Sequence, residues 1–409
     1  MTTLLSINNY FYRRDGSEAV YLGHNRMFEG AGWTVVPFSM HHAENEPSPW
    51  SEFFVEELEL GAAYTTAQKL RRVPKVVYSL EARRKLSALL DRVRPDVGHC
   101  HSIYHHLSPS ILGVLKRRGV PVVMTLHDLK LACPAYHMFN GAGACEECKG
   151  GRLHRVLVNR CSKGSVTLSA IVMAEAVLHR LLDSYGRNVD CFVVPSEFYA
   201  RKLAEWGWDA SRFVHVPNFV DCSTIRPSLS PGRGFLYLGR LSPEKGLTTL
   251  LRAAAEAGAA VRLAGEGPQR AVLEREAERT GAEVEFLGRL SAERLYDAVR
   301  ACRATVLPAE WYENAPISVL ESFAAGKPVI GADIGGIPEI VTPGENGWLF
   351  RSGSVESLAA ALREAAAAPD AKLIRMGRIA RATAEARFDA VVYRRRMVSV
   401  YAALGVRVH

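Results

Sequence analysis

The chain has 409 residues, 48% of them hydrophobic and 23% charged, an ordinary globular composition whose length favours two domains over one. Its formal charge of +8 suits an anionic partner such as nucleic acid, a membrane surface or a phosphorylated substrate. No run of about 18 apolar residues occurs, so no spanning helix is expected, and the opening MTTLLSINNY lacks the basic and apolar regions of a signal peptide; a cytoplasmic protein is expected, with peripheral attachment at the inner face of the membrane left open.

The first half alternates short β-rich runs, LLSIN, WTVVPF, DVGHC, PVVMTL, DCFVVPS and RFVHVPN, with helical stretches. After the first run, NNYFYRRDGSEAVYL puts Gly16 in a tight turn and Ser17 where it would cap a helix beginning at Glu18, which turns a helix N-terminus towards the strand end. This loop departs from the dinucleotide fingerprint and no acid ends the second run, which argues against a nicotinamide cofactor. Between Lys69 and Arg94, nine bases (Lys69, Arg71, Arg72, Lys75, Arg83, Arg84, Lys85, Arg92, Arg94) stand against Glu81 and Asp91. The stretch predicts one positive face, either solvated or docked on anionic lipid with Val76, Val77, Leu80, Leu86, Leu89 and Leu90 as apolar anchors. No RNA-binding motif, paired finger or helix-turn-helix pattern accompanies the charge, so nucleic acid is not an expected partner.

TLHD closes the fourth run with His127 and Asp128. Next comes CPAYHMFNGAGACEECKGGRLHRVLVNRC, in which Cys133, Cys145, Cys148 and Cys161 frame a Gly-rich segment without a core of its own. Four clustered thiols in a cytosolic chain point to a metal before disulfides: structural zinc in a tetrahedral four-cysteine site, with an iron–sulfur cluster as the alternative and His137 or His154 as substitutes for one thiol. The segment Asn218–Gly234 is rich in Pro, Ser and Gly and reads as a linker.

The second half repeats the alternation in FLYLGR, AVRLAG, EVEFLG, RATVLP, KPVIG and GWLF. Strands bounded by helices imply parallel sheets, whose ligands bind beyond the carboxyl ends of the strands. At those ends, GRLSPEKG offers Arg240 and Lys245 to a diphosphate, and LAGEGPQR offers Gly265, Glu266 and Gly267 for close approach to a ligand. In EWYENAPISVLESF, Glu313 stands before a helix and Glu321 inside it among Val319, Leu320 and Phe323; a carboxylate there needs a polar partner if buried. The amides of Asn314, Ala315, Pro316 and Ile317 mark the helix start, with Pro316 in the first turn. Finally, FDAVVYRRRMVSVYAALG carries partial helical spacing around an Arg triplet.

In this order, GRLSPEKG, LAGEGP, FLGRLS, LPAEWYENAPISVLESFAAGKPVIGADIGGIPEIV and GENGWLF resemble the donor-binding half of the retaining, nucleotide-sugar-dependent glycosyltransferases of family 4, and RRDGSE, PDVGHCH, TLHD, VVPSEF and HVPNFVD extend the likeness into the first half. The resemblance implies an α/β GT-B fold, two doubly wound Rossmann-like domains facing a central cleft. Residues 1–220 would form the acceptor-binding domain, with the Cys-rich insertion at about 133–161; residues 232–385 would form the donor-binding domain, and 386–409 a helix crossing back to the first. It also implies a hexosyltransferase that uses a nucleotide-diphosphate sugar, a carbohydrate or lipid-linked acceptor and no catalytic metal, in bacterial polysaccharide, glycolipid or glycoconjugate assembly. Glu313 would bind the transferred sugar, Glu321 the ribose, His127 a sugar hydroxyl beside the oxocarbenium-like centre, and Asp128 would orient His127 or touch the acceptor. Arg240 and Lys245, helped by the Gly16 loop, would hold the diphosphate. The alternative is a non-catalytic sugar-nucleotide-binding regulatory protein, which would need Glu321, Arg240 and Lys245 but neither Glu313 nor His127.

Overall fold

All twelve β-rich runs are strands in the computed structural model, which describes residues 1–58 and 66–408, with the side chains of 66–71 outside the description. The first six are β1 (Thr3–Ile7), β2 (Thr34–Phe38), β3 (Val97–Cys100), β4 (Val122–Thr125), β5 (Cys191–Val194) and β6 (Phe213–His215). They pair in parallel in the order β2-β1-β3-β4-β5-β6. The second six are β7 (Phe235–Leu238), β8 (Val261–Ala264), β9 (Val284–Gly288), β10 (Ala304–Leu307), β11 (Val329–Ala332) and β12 (Gly347–Phe350), parallel in the order β12-β11-β10-β7-β8-β9. Central strands buried on both faces explain the continuously apolar runs among them, as in FLYL and CFVV. Each sheet reverses its winding once, between β1 and β3 and between β7 and β10, and such switch points are where doubly wound sheets open a crevice.

The two domains are joined twice, and the joints are stitched together. Val220 donates to the Phe388 carbonyl at 2.9 Å and Ala390 returns a bond to Val220 at 3.1 Å. Beyond this point the helix Ala390–Ala403 leaves the second domain and packs on the first, where Tyr393, Met397, Val400 and Tyr401 are buried against Leu4, Phe28, Trp33, Val97 and Val123. Its two tyrosine hydroxyls meet buried imidazoles: Tyr393 lies 3.0 Å from His24 Nδ1, and Tyr401 lies 3.0 Å from His24 Nε2 and 2.6 Å from His99 Nδ1.

Two local expectations change. Asp15, not Ser17, stands at the cap of the helix Gly16–Gly30, because Glu18 at its third position accepts the Asp15 N–H at 3.1 Å and closes a capping box. In the basic stretch, the apolar anchors Val76, Leu86, Leu89 and Leu90 are buried in the first domain's core while Leu80 is exposed, so that apolar side is not free for lipid. Glu56 pairs with Arg72 and Lys75, Glu81 with Lys75 and Glu52 with Arg92; Glu52 and Glu56 come from a preceding turn that a local count of charge does not see. The side chains of Lys69 and Arg71 lie outside the described residues.

One glycine ties the β7 loop to the end of β10. Gly246 has φ +67°, and a Cβ there would fall 1.9 Å from the Pro308 carbonyl oxygen, whereas Gly258, at φ +62°, has nothing within 4 Å. Gly258→Ala is expected to cost about 1 kcal/mol of left-handed strain, and Gly246→Ala clearly more, read as the difference between their urea midpoints.

Candidate active site

The loop after β7 and the loop after β10 meet at the switch point of the second sheet, and their charged groups pair there. Lys245 Nζ lies 2.5 Å from Glu313 Oε1, which also accepts the Trp311 indole N–H at 2.8 Å, while the ammonium sits 4.8 Å above the Trp311 ring. Glu313 is 6% exposed, so the carboxylate is held by one cation and one neutral donor in a site nearly closed to water. Arg240 is exposed on the same loop, and its charge is felt by Tyr136 and His137 of the other domain, so it faces the cleft. Gly265 and Gly267 are required by their own chain: a Cβ would fall 1.9 Å from the Gly239 carbonyl oxygen or 2.3 Å from that of Leu241, which presses the LAGEGP turn onto the Arg240 loop. Glu266 is exposed and pairs with Arg270.

Across the cleft, His127 ends β4 half-buried. Its Nε2 lies 2.8 Å from His101 Nδ1, and the two rings stack at 5.1 Å. His101 in turn stacks on His99 at 4.4 Å. Burial lowers the pKa of His127 to about 4 and that of His99 and His101 well below the usual value, so the row is neutral at pH 7. His101 Nε2 is buried without a partner, and an orphaned acceptor costs less than an orphaned donor; His101 is therefore best written with its proton on Nδ1, donating to His127 Nε2. That leaves His127 with its proton on Nδ1. Asp128 accepts the Lys130 N–H at 2.9 Å, and burial raises its pKa to about 6 against the lowering effects of Lys130 and Tyr104. The recorded partner of His127 is His101. GHCHS held the signal for it, since alternate residues of a strand share a face.

The halves are locked at the Glu313 loop. Asn314, 7% exposed, accepts the Ser196 hydroxyl at 2.8 Å and donates to the Leu126 carbonyl at 2.9 Å, one residue before His127. Asn218 bonds the Ala315 carbonyl, Tyr199 the Tyr312 carbonyl, and Glu339 accepts the N–H groups of Glu197 and Phe198 at a helix start in the first domain. Pro316 precedes the helix rather than opening its first turn, and Ile317 begins it, 3.8 Å from where a Cβ on Gly16 would lie. The two helix N-termini thus converge on one space. Glu321, in the second of these helices, has its pKa pushed to about 7 by burial, against the lowering charge of Arg13 and a hydrogen bond from Tyr296. The local pattern gave no indication of Arg13, Ser196, Tyr199, Tyr312 or Glu339, because each acts across the cleft.

The four cysteines lie in one region of the first domain, Cys133 and Cys148 buried and Cys145 and Cys161 half-buried, with no disulfide among them. His137 is not with them: its ring lies 3.8 Å from Tyr136 and 6.5 Å from Trp311, in the cleft. His154 is exposed. The other cysteines, Cys100, Cys191, Cys222 and Cys302, are buried singly.

The switch points of the two sheets thus face one another, with an acid–lysine pair on one side and a neutral histidine on the other. Residues 16–224, just over half of the chain, match the family model described as Glycosyltransferase Family 4, and residues 228–383 match that described as Glycosyl transferases group 1. The chain belongs to the glycosyltransferases that carry these two domains. It is 27% identical to the sulfoquinovosyl transferase of Arabidopsis thaliana over 71% of this chain and 53% of that one, and 34% identical to the D-inositol 3-phosphate glycosyltransferase of Nocardia farcinica over 43% and 44%. It is 33% identical to a glycogen synthase of Mycobacterium tuberculosis over 72% and 66%. The chain therefore spans about half the length of the first two. Its GT-B fold is shared with the sucrose-phosphate synthase of Thermosynechococcus elongatus (TM-score 0.72, 20% identity, 99% of both chains) and with Anabaena HepE, solved with UDP and glucose (TM-score 0.69, 17% identity, 98% of this chain and 100% of that one).

Lys245→Met strands the buried Glu313 carboxylate with only the Trp311 donor and is expected to destabilise the chain by about 3 kcal/mol. Lys245→Met combined with Glu313→Gln should recover most of this, since no unpaired charge is then left behind, as read by denaturant unfolding.

Proposed function

We propose that the chain is a retaining glycosyltransferase of the family 4 type, moving a sugar from a nucleotide-diphosphate sugar to a hydroxyl of a carbohydrate or lipid-linked acceptor in bacterial polysaccharide, glycolipid or glycoconjugate assembly. The observation that carries this reading is the Asn314 bridge, which brings His127 beside the Glu313 loop and so sets an imidazole and a carboxylate on facing sides of the cleft. The neighbour solved with UDP and glucose supports a nucleotide sugar as donor.

In this mechanism the anomeric C–O bond to the diphosphate breaks as the acceptor oxygen bonds the same carbon from the same face, and the acceptor proton passes to the leaving phosphate. Negative charge grows on that phosphate, so preorganised positive groups are the main requirement. Arg240 and the convergent helix N-termini at Gly16 and Asn314–Ile317 supply them; no metal is needed for this step. Lys245 is already paired with Glu313, so it serves the diphosphate while holding that carboxylate in place for the sugar hydroxyls. Neutral His127 donates a hydrogen bond without adding positive charge beside an oxocarbenium-like centre. Glu321 accepts the ribose hydroxyls.

A thermal-shift and calorimetric screen against UDP-, GDP-, ADP- and TDP-sugars is expected to give selective stabilisation by one donor; no response from folded protein would remove the nucleotide-sugar reading. With that donor, Glu313→Ala should abolish transfer at saturation, and retained transfer would displace Glu313 from the sugar.

The pH dependence has a definite sign. Ribose hydroxyls bond best to a carboxylate, whereas the free site holds Glu321 with a pKa of about 7. Donor binding therefore expels a proton at low pH, and affinity should rise as pH increases towards about 7 and level off above it. Glu321→Gln should lose about tenfold in donor affinity and flatten that profile in calorimetry.

A further inference from the structure

We propose that Cys133, Cys145, Cys148 and Cys161 bind one zinc ion, and that this ion sets the 133–161 loop as a strut holding the Tyr312–Glu313 loop of the opposite domain. The site stands independently of the transferase reading; its kinetic consequence rests on that reading.

Convergence is the first ground. The cysteines span 29 residues, yet in all six pairs the thiols lie close enough for one to feel the other's charge. Their neighbours suit thiolate ligands. Burial pushes the Cys133 thiol up, and the nearby main chain of Met138 and Ala135 works against that shift. Just after Cys148, Gly150 and Gly151 take φ +71° and +81°, a left-handed turn that glycine permits. Four bound thiolates and one zinc ion carry a net charge of −2. From Lys130 to Lys163 the chain holds six bases, Lys130, Lys149, Arg152, Arg155, Arg160 and Lys163, against the two acids Glu146 and Glu147.

Conformational cost is the second ground. Tyr136, Met138 and Arg160 hold positive φ in this loop, as do Gly141 and Gly143. Apart from the cysteines, its buried apolar side chains are Pro134, Ala135, Met138, Leu153 and Val156. So few anchors leave the ordering of about thirty residues to another source, and metal coordination is folding free energy in such loops.

Among the described residues, the three ligand atoms that approach within 4.8 Å of one another belong instead to His24, His99 and His101. Those imidazoles are engaged with Tyr393, Tyr401, Thr125 and His127, which leaves His101 Nε2 alone to offer a lone pair. The sulfurs are spread more widely than the roughly 3.8 Å that a zinc–sulfur bond of about 2.3 Å implies, so binding draws the loop inward. Zinc replaces the four thiol protons, which pass to solvent.

The strut follows from what the CxxC presents. Glu146 stands between its two cysteines, and its Oε1 accepts the Tyr312 hydroxyl at 2.9 Å and the Lys202 ammonium at 2.8 Å. Tyr312 is the residue before Glu313. A metal-ordered knuckle in one domain therefore holds the loop that carries the sugar-binding acid in the other.

The test is metal analysis of the full chain purified without chelator or tag-bound metal. One zinc per chain is expected, lost in Cys145→Ser/Cys148→Ser and in Cys161→Ala but retained in Cys161→His, which preserves a zinc ligand and so separates coordination from folding. Iron with acid-labile sulfide would overturn the zinc assignment, as would a folded chain that holds no metal and whose four thiols react with a disulfide reagent equally fast with and without added zinc. For the strut, stripping the ion and the Glu146→Ala substitution should each raise donor KM roughly tenfold with a smaller change in kcat, the latter with zinc retained. Unchanged KM in both would overturn the strut and leave the metal site standing. A chain with its zinc in place that binds no nucleotide sugar would overturn the transferase reading instead.

Discussion

The buried amide of Asn314 is the joint on which this cleft depends. Its oxygen accepts from Ser196 and its nitrogen donates to the carbonyl of Leu126, so both ends are satisfied only when the two domains stand in this relation. A side chain this deeply buried cannot leave either group unpaired without a cost of about 1–3 kcal/mol. Glu339 reinforces it at the start of the Glu197–Glu205 helix, and the stitched backbone at Val220 and Asp389 limits how far the halves can swing. The geometry of the acid–lysine pair relative to His127 follows from these bonds.

Electrostatics divide the cleft into two kinds of wall. The second domain supplies charge: Lys245 against Glu313, and exposed Arg240. The first supplies neutral polarity, because the imidazoles of His99, His101 and His127 are too buried to hold a proton. The proposed transfer, with its leaving diphosphate and cation-like sugar centre, calls for these two environments side by side. The tyrosines of the returning helix finish the second wall from behind. Tyr401 meets both His24 and His99, which links the far terminus of the chain to the row that ends at His127.

Much of the architecture was legible without coordinates. The runs FLYL and CFVV are continuously apolar because parallel central strands are covered on both faces, and such runs survive inspection one at a time. Glu313, Arg240, Lys245 and His127 could be named because each sits near a strand end or helix start, and Glu321 because it is an acid among apolar residues inside a helix. Expectations failed where local propensity had a rival. Ser17 is a good cap, but Asp15 with Glu18 three residues on makes a better one; for the basic helices, burial of the apolar side in the core accords with the solvated of the two readings.

The sequence by itself determined the strands, the order of the loops and the residue types that reach the cleft, since these depend on periodicity and turn chemistry within a few residues. Only the tertiary structure decided which groups meet. Asn314 and Leu126 are 188 residues apart in the chain, and Tyr312 and Glu146 are 166 apart. Such pairs leave no period to read. They arise when two separately folded sheets present complementary donors and acceptors, and the burial that results is also what neutralises the histidines and moves Glu321 towards pH 7. Side-chain identity is local, but solvation and partnership belong to the assembled cleft.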